Sequence, residues 1–271
     1  MNALFIKRII SASFFAIIIV NRLVAQDFEL SPAKLLFTAE PGENQSKSIS
    51  VKNHGSKKQS FLVALNDYVP SESGGKNILP PNTTKRSCAN WLNINPSFFD
   101  LNPGEEKKIT VTLMVPSSEY LSSWCMLYVQ PVQEQTATSA SKEVSAGMRL
   151  AGRIGITVNQ TPKSNLNQQV KIYNLKEIPA QKQETLSFAG AIDNMGECIT
   201  ACKTFLLVTN LETMEEKKYS EMEVETFPKN TREIVYTIPQ LLPKGTYSIA
   251  AIVDYGSKSS LEGTEIRYEV K

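Results

Sequence analysis

The chain has 271 residues, 41% of them hydrophobic and 21% charged, which is enough for about two domains of roughly 100–150 residues with ordinary cores. Such a composition excludes disorder. Three of the 29 basic residues (Lys7, Arg8 and Arg22) fall in the first 25 positions, which hold no acid, so 26 basic residues face 27 acidic ones beyond that point. A near-neutral chain excludes a nucleic-acid binder, which needs a basic patch.

In chain order, Lys7 and Arg8 precede an apolar run from Ile9 to Val20, and "LVA" then meets Gln26. A charged start, a short apolar stretch and a small residue at the cut describe a secretory signal peptide over residues 1–25, cleaved after Ala25. The apolar run falls short of the roughly 20 residues that span a bilayer. The expected destination is the periplasm, or the cell surface and medium.

Strand-like segments follow almost without interruption. "SISVKN" (48–53), "QSFLVALNDYV" (59–69), "ITVTLMV" (109–115), "SWCMLYVQPV" (123–132) and "MRLAGRIGITV" (148–158) have the period-2 pattern of sandwich strands. In "ITVTLMV", Ile109, Val111, Leu113 and Val115 share one face. Two of these strands are approached through Pro-Gly-Glu, at residues 41–43 and 103–105. Pro fixes φ at the second position of a turn and Gly accepts the positive φ that a type II turn needs next, so the device is architectural.

A polar stretch with Pro162, "NQTPKSNLNQQ" (159–169), marks a boundary, and a second set begins: "QVKIYNLK", "TLSFAGAIDN", "KTFLLVTNLE", "REIVYTI", "YSIAAIVDYG" and "TEIRYEV". "PKGTYSI" (243–249) offers Tyr247 either as a tyrosine corner, its hydroxyl bonding back to the backbone, or as a plain core residue. The expected fold is all-β: two immunoglobulin-like sandwiches in tandem, over residues 26–162 and 163–271.

Export puts the four cysteines in an oxidising compartment. One disulfide is expected within each half, Cys88 with Cys125 and Cys198 with Cys202. A zinc site at "CITAC" wants four ligands, and the chain has one histidine and no further pair nearby. That histidine, His54, lies in the polar "KNHGSKK" and reads as a solvated turn residue rather than a catalytic base. "SESGGK" (71–76) lacks the spacing of a phosphate loop. The acidic cluster "MEEKKYSEMEVE" (214–225) reads as a solvated strand face. The sequence points to no enzyme, no metal and no cofactor.

"LSPAKLLF" (30–37) resembles the opening-strand motif of periplasmic pilus chaperones, with Lys34 at its basic position. "NWLNINPSFFDLNPGEEKKITV" is similar to their tryptophan-led segment and the turn and strand after it, and "MRLAGRIGITVNQTP" to the strand that ends their first domain. The resemblance covers about residues 27–162; the second half matches only as a generic sandwich. It implies donor-strand chaperoning, in which an edge strand completes an exported, pilin-like β-rich subunit, with an outer-membrane assembly protein as a further partner and no nucleic acid or small-molecule substrate. Met148, Leu150, Ile154 and Ile156 would form the donated strand, with Val158 on the same face and a long polar loop, 134–147, before it. Lys34 would anchor the terminal carboxylate of the subunit. The second anchoring lysine of the family aligns with Thr157, and Arg153 is the nearby cation that would substitute. The same alternation also fits a strand wholly inside its own core, and Lys34 also fits an exposed lysine that blunts an edge. The alternative function is a secreted or surface-displayed structural or adhesive protein that binds a protein or glycan through its loops.

Overall fold

The computed structural model describes residues 27–132, 152–179, 182, 184–256 and 261–271. The leader and the segment carrying Met148 and Leu150 lie outside the described residues.

The strands run β1 Phe28–Ser31, β2 Lys34–Phe37, β3 Asn44–Asn53, β4 Gln59–Pro70, β5 Lys76–Leu79, β6 Leu92–Asn95, β7 Phe98–Leu101, β8 Glu106–Met114, β9 Ser123–Val132 and β10 Ile154–Gln160. The second set is β11 Val170–Ile178, β12 Leu186–Asn194, β13 Thr200–Asn210, β14 Glu216–Thr226, β15 Asn230–Ile238, β16 Gly245–Asp254 and β17 Glu262–Val270. Two immunoglobulin-like β-sandwiches in tandem result. In the first, the sheet β1-β3-β8-β6 faces the sheet β2-β10-β9-β4-β5, where β7 also pairs with β4. In the second, β11-β12-β15 faces β14-β13-β16-β17.

Alternation places the cores. Ile49 and Val51 on β3 and Ile109, Val111 and Leu113 on β8 are buried against Phe37, Phe61, Leu127 and Val158 of the opposite sheet. The second core is built the same way around Phe188, Ile192, Leu206, Tyr236 and Ile249. Each fully buried aliphatic or aromatic side chain stabilises its sandwich by about 1.5–3 kcal/mol. Tyr247 fills both expected roles: it is 4% exposed, and its hydroxyl donates to the Pro243 carbonyl at 2.9 Å.

The Pro-Gly-Glu turns are as expected, with φ of +83° at Gly42 and +77° at Gly104. Glu43 N–H bonds the Glu40 carbonyl at 2.9 Å, and Glu105 N–H bonds the Asn102 carbonyl at 3.0 Å. The structure also explains the glutamate. The Glu43 carboxylate accepts from the Glu40 N–H at 3.0 Å, and the Glu105 carboxylate accepts from the Asn102 N–H at 2.8 Å. Each glutamate thus closes its own turn from the side-chain side.

The cysteines differ from expectation in both halves, since neither expected disulfide is made. All four are buried free thiols. The Cys88 and Cys125 sulfurs face each other at 3.4 Å. Cys198 and Cys202 instead have separate partners: Cys198 Sγ donates to the Asn165 carbonyl at 3.0 Å, while Cys202 Sγ lies in the second core near Thr200 and Thr226. The expected bond between them is not made, because β13 is already extended from Thr200 onward and no turn brings the two together.

Candidate functional site

The first-domain sheet formed by β2, β10, β9 and β4 turns its outer face toward the second domain. β9 is therefore buried on both sides. Cys125, Leu127 and Val129 enter the first core, while Trp124, Met126 and Tyr128 join Tyr68 and the second domain's Phe227 in a separate cluster. The Phe227 ring meets Trp124 edge-on at 5.1 Å and Tyr68 at 5.9 Å. Trp124 Nε1 donates to the Tyr68 carbonyl at 3.0 Å, which satisfies its buried N–H.

A polar layer flanks this cluster. Asp67, fully buried, accepts from the backbone N–H groups of Thr83 and Thr84 and from the Ser87 hydroxyl, fixing the segment that carries Arg86. Arg86 then pairs with Glu197 of the second domain and donates to the Ser122 carbonyl at 3.2 Å. Lys229 approaches the other Glu197 oxygen at 3.1 Å. The Arg86 guanidinium holds the Glu197 carboxyl below the usual carboxylate range, and Lys229 adds to the effect.

At the opposite end of the interface sits Lys34, the first residue of β2. Its ammonium meets Glu225 Oε1 of β14 at 2.8 Å. Asn159 Nδ2, from β10, donates to the same oxygen at 3.1 Å. Asn159 Oδ1 accepts from the Tyr68 hydroxyl at 3.4 Å. Burial, and then the Glu225 charge, push the Tyr68 hydroxyl well above its ordinary value, so it stays a donor. Beside Glu225 a cleft of about 170 Å³ opens between the domains, lined by the 70–76 hairpin, Phe227 and Arg232.

β10 carries most of the expected site residues. It pairs with β9 along its whole length, but with β2 only from Thr157 to Gln160, opposite Lys34 to Phe37. The chain switches sheets at the Ser31–Pro32 bond, between β1 and β2, so among the described residues Ile154, Gly155 and Ile156 have a strand neighbour on one side only. Thr157 N–H points to the β2 side, bonding Ala33 O at 3.4 Å. By strand alternation the Gly155 N–H points to that same open side.

The site residues divide accordingly. Ile156 is 1% exposed and belongs to the first core, and Ile154 packs partly against it. The reading of Ile156 as a side chain that enters a partner is therefore corrected: the even positions of β10 face its own sandwich, and Ile156 is fully inside. Thr157 stands beside Lys34 in register and is 8% exposed. Arg153 does not join Lys34; its guanidinium lies 4.0 Å from the Tyr128 ring. Gly155 makes room for that ring, since a Cβ there would come within 2.6 Å of Tyr128 Cε1.

The search of family models finds no match, and no curated protein matches the chain. Solved structures similar to it include the class 5 fimbriae chaperone CfaA, at 12% identity and a TM-score of 0.45, covering 90% of this chain and 99% of that one. The E. coli chaperone DraB follows at 14% identity and a TM-score of 0.42, covering 88% and 98%. A chain of the CsuC–CsuE chaperone–tip adhesion subunit pre-assembly complex, from the archaic chaperone-usher Csu pili of Acinetobacter baumannii, has 11% identity and a TM-score of 0.43, covering 88% and 97%.

Three contributors escaped the sequence reading. Glu225 belongs to a cluster that reads as a solvated strand face, Asn159 opens the polar boundary stretch but is 3% exposed, and Phe227 has no periodic context. His54 meets expectation, paired with Glu29 at 3.0 Å and well exposed.

Proposed function

We propose that this chain is an exported assembly chaperone that lends an edge strand to pilin-like, β-rich subunits. The observation that carries the reading is the half-open β10. Among the described residues its backbone lacks a neighbour on one side over Ile154–Ile156, and the sequence just before it carries Leu150 and Met148. A subunit strand adding there would gain main-chain hydrogen bonds, with alternate side chains setting specificity. Lys34 supports the reading from the side, because a cation beside that edge suits the terminal carboxylate of such a strand. The tandem sandwiches and the motif resemblance at residues 30–37 support it too. On this reading residues 1–25 direct export to the periplasm, and an outer-membrane assembly protein receives the loaded subunit.

The test is capture from the native cell envelope with tagged wild-type protein beside a Leu150→Glu variant. Recovery of one exported β-rich protein at equal stoichiometry, with wild type alone, is the expected result. Equal recovery by both folded proteins, or recovery by neither, would refute strand donation and favour the surface-displayed alternative.

A further inference from the structure

We infer that the Glu225 carboxylate is an internal occupant of a carboxylate site formed by Lys34 and Asn159, one that a partner's terminal carboxylate must displace. The inference rests on the proposed function for the identity of the partner, and on the geometry for everything else.

Two donors from adjacent strands of the first domain converge on one oxygen, at 2.8 Å from Lys34 Nζ and 3.1 Å from Asn159 Nδ2. The acceptor comes from the other domain, on β14. A charged and a neutral donor on one oxygen is how a carboxylate is held in proteins generally. Asn159 is built for this role rather than free to adapt. It is 3% exposed, and the fully buried Tyr68 hydroxyl bonds its Oδ1, which leaves Nδ2 as the group that faces Glu225. Asn159 follows Thr157 by two residues on the same face of β10. The second donor is thus Asn159, where the sequence resemblance implies Thr157 or Arg153.

The occupant is replaceable. The Lys34 and Glu225 side chains keep 40% and 25% of their surface exposed, and an ion pair this open contributes little to stability. The released Glu225 has somewhere to go, because it already lines the interdomain cleft that also contains Lys76 and Arg232. While Glu225 holds the donors, an incoming carboxylate sees only the fraction of molecules in which it has left, and its apparent affinity falls by that fraction. The pair therefore keeps the anchor capped until a strand on the β10 edge brings a carboxylate at high local concentration.

The test needs no identified subunit. N-acetylglycine serves as the probe for a terminal carboxylate and N-acetylglycine methylamide as its neutral counterpart, each titrated into the mature chain while the backbone amide resonances of positions 34 and 159, present in every variant, are followed. Glu225→Ala is expected to bind N-acetylglycine roughly two- to sixfold more tightly than wild type, and the methylamide not at all. In that background Lys34→Gln and Asn159→Ala should each remove the binding, whereas Thr157→Val should leave it. Glu225→Gln, close in shape, guards against a folding defect in Glu225→Ala and should also bind more tightly than wild type. Equal affinity in wild type and both Glu225 variants, no binding in any of them, or loss with Thr157→Val but not with Asn159→Ala would overturn the inference. None of these readouts depends on strand donation, so the envelope capture with Leu150→Glu can fail while this site stands, and the reverse.

Discussion

Replacing Phe227 by alanine tests whether the aromatic cluster couples the two sandwiches. Phe227 is 7% exposed and belongs to neither domain core; its ring touches Trp124 and Tyr68 of the other domain edge-on. Truncating a buried phenylalanine costs about 3–5 kcal/mol, and the two ring contacts supply roughly 0.5–1.5 kcal/mol each of that. Because the lost contacts cross the interface, the cost falls on the coupling between domains more than on either core. A loss of about 3–4 kcal/mol corresponds to a drop of roughly 6–16 °C in a protein of this size. Calorimetry should therefore show the transition of the interface-dependent domain falling by that much and separating from the other. Trp124 fluorescence should follow the lower transition. An unsplit transition within about 2 °C of wild type would refute the reasoning, since so small a shift is below about 1 kcal/mol.

Two further outcomes follow from the same interface and from the thiols. The Glu197 carboxyl is held low by Arg86 and Lys229, so its contribution is complete above the unfolded carboxylate value of about 4.3 and is lost as pH falls through the lower folded value. The difference in urea midpoint between wild type and Glu197→Gln should be largest at about pH 7 and vanish near pH 2; a gap that persists in acid would contradict this. Glutathione disulfide should link Cys88 to Cys125, whose sulfurs are 3.4 Å apart, and the loop so closed should gain about 4 kcal/mol. Peptide mapping after alkylation under denaturing conditions should find Cys198 and Cys202 still free; a Cys198–Cys202 bond would mean that β13 starts differently.

Much of the fold was written in local pattern. The alternation in "ITVTLMV" and the Pro-Gly turns specify strands and reversals through side-chain period and φ alone, and both appear where the sequence put them. What stayed hidden depends on long-range placement. "SWCMLYVQPV" reads as one more alternating sandwich strand, and nothing local says that Trp124, Met126 and Tyr128 face a second domain. Glu225 lies among exposed acids, and only the approach of β14 to β2, 191 residues apart in sequence, gives it Lys34 as a partner. Cys198 and Cys202 look like a pair by spacing, but spacing carries no information about the extended backbone between them. Ile156 shares its alternation with Met148 and Leu150 in sequence, and alternation alone does not say that Ile156 is fully inside its own core.

The central claim, that the open side of β10 receives a partner strand, is tested most directly by amide hydrogen exchange on the chain alone and on the complex recovered by envelope capture. The account predicts that the Gly155 amide exchanges readily in the free chain and becomes protected in the complex, together with amides upstream of it. Unchanged exchange at Gly155, with new protection confined to loops of the second domain, would contradict strand addition.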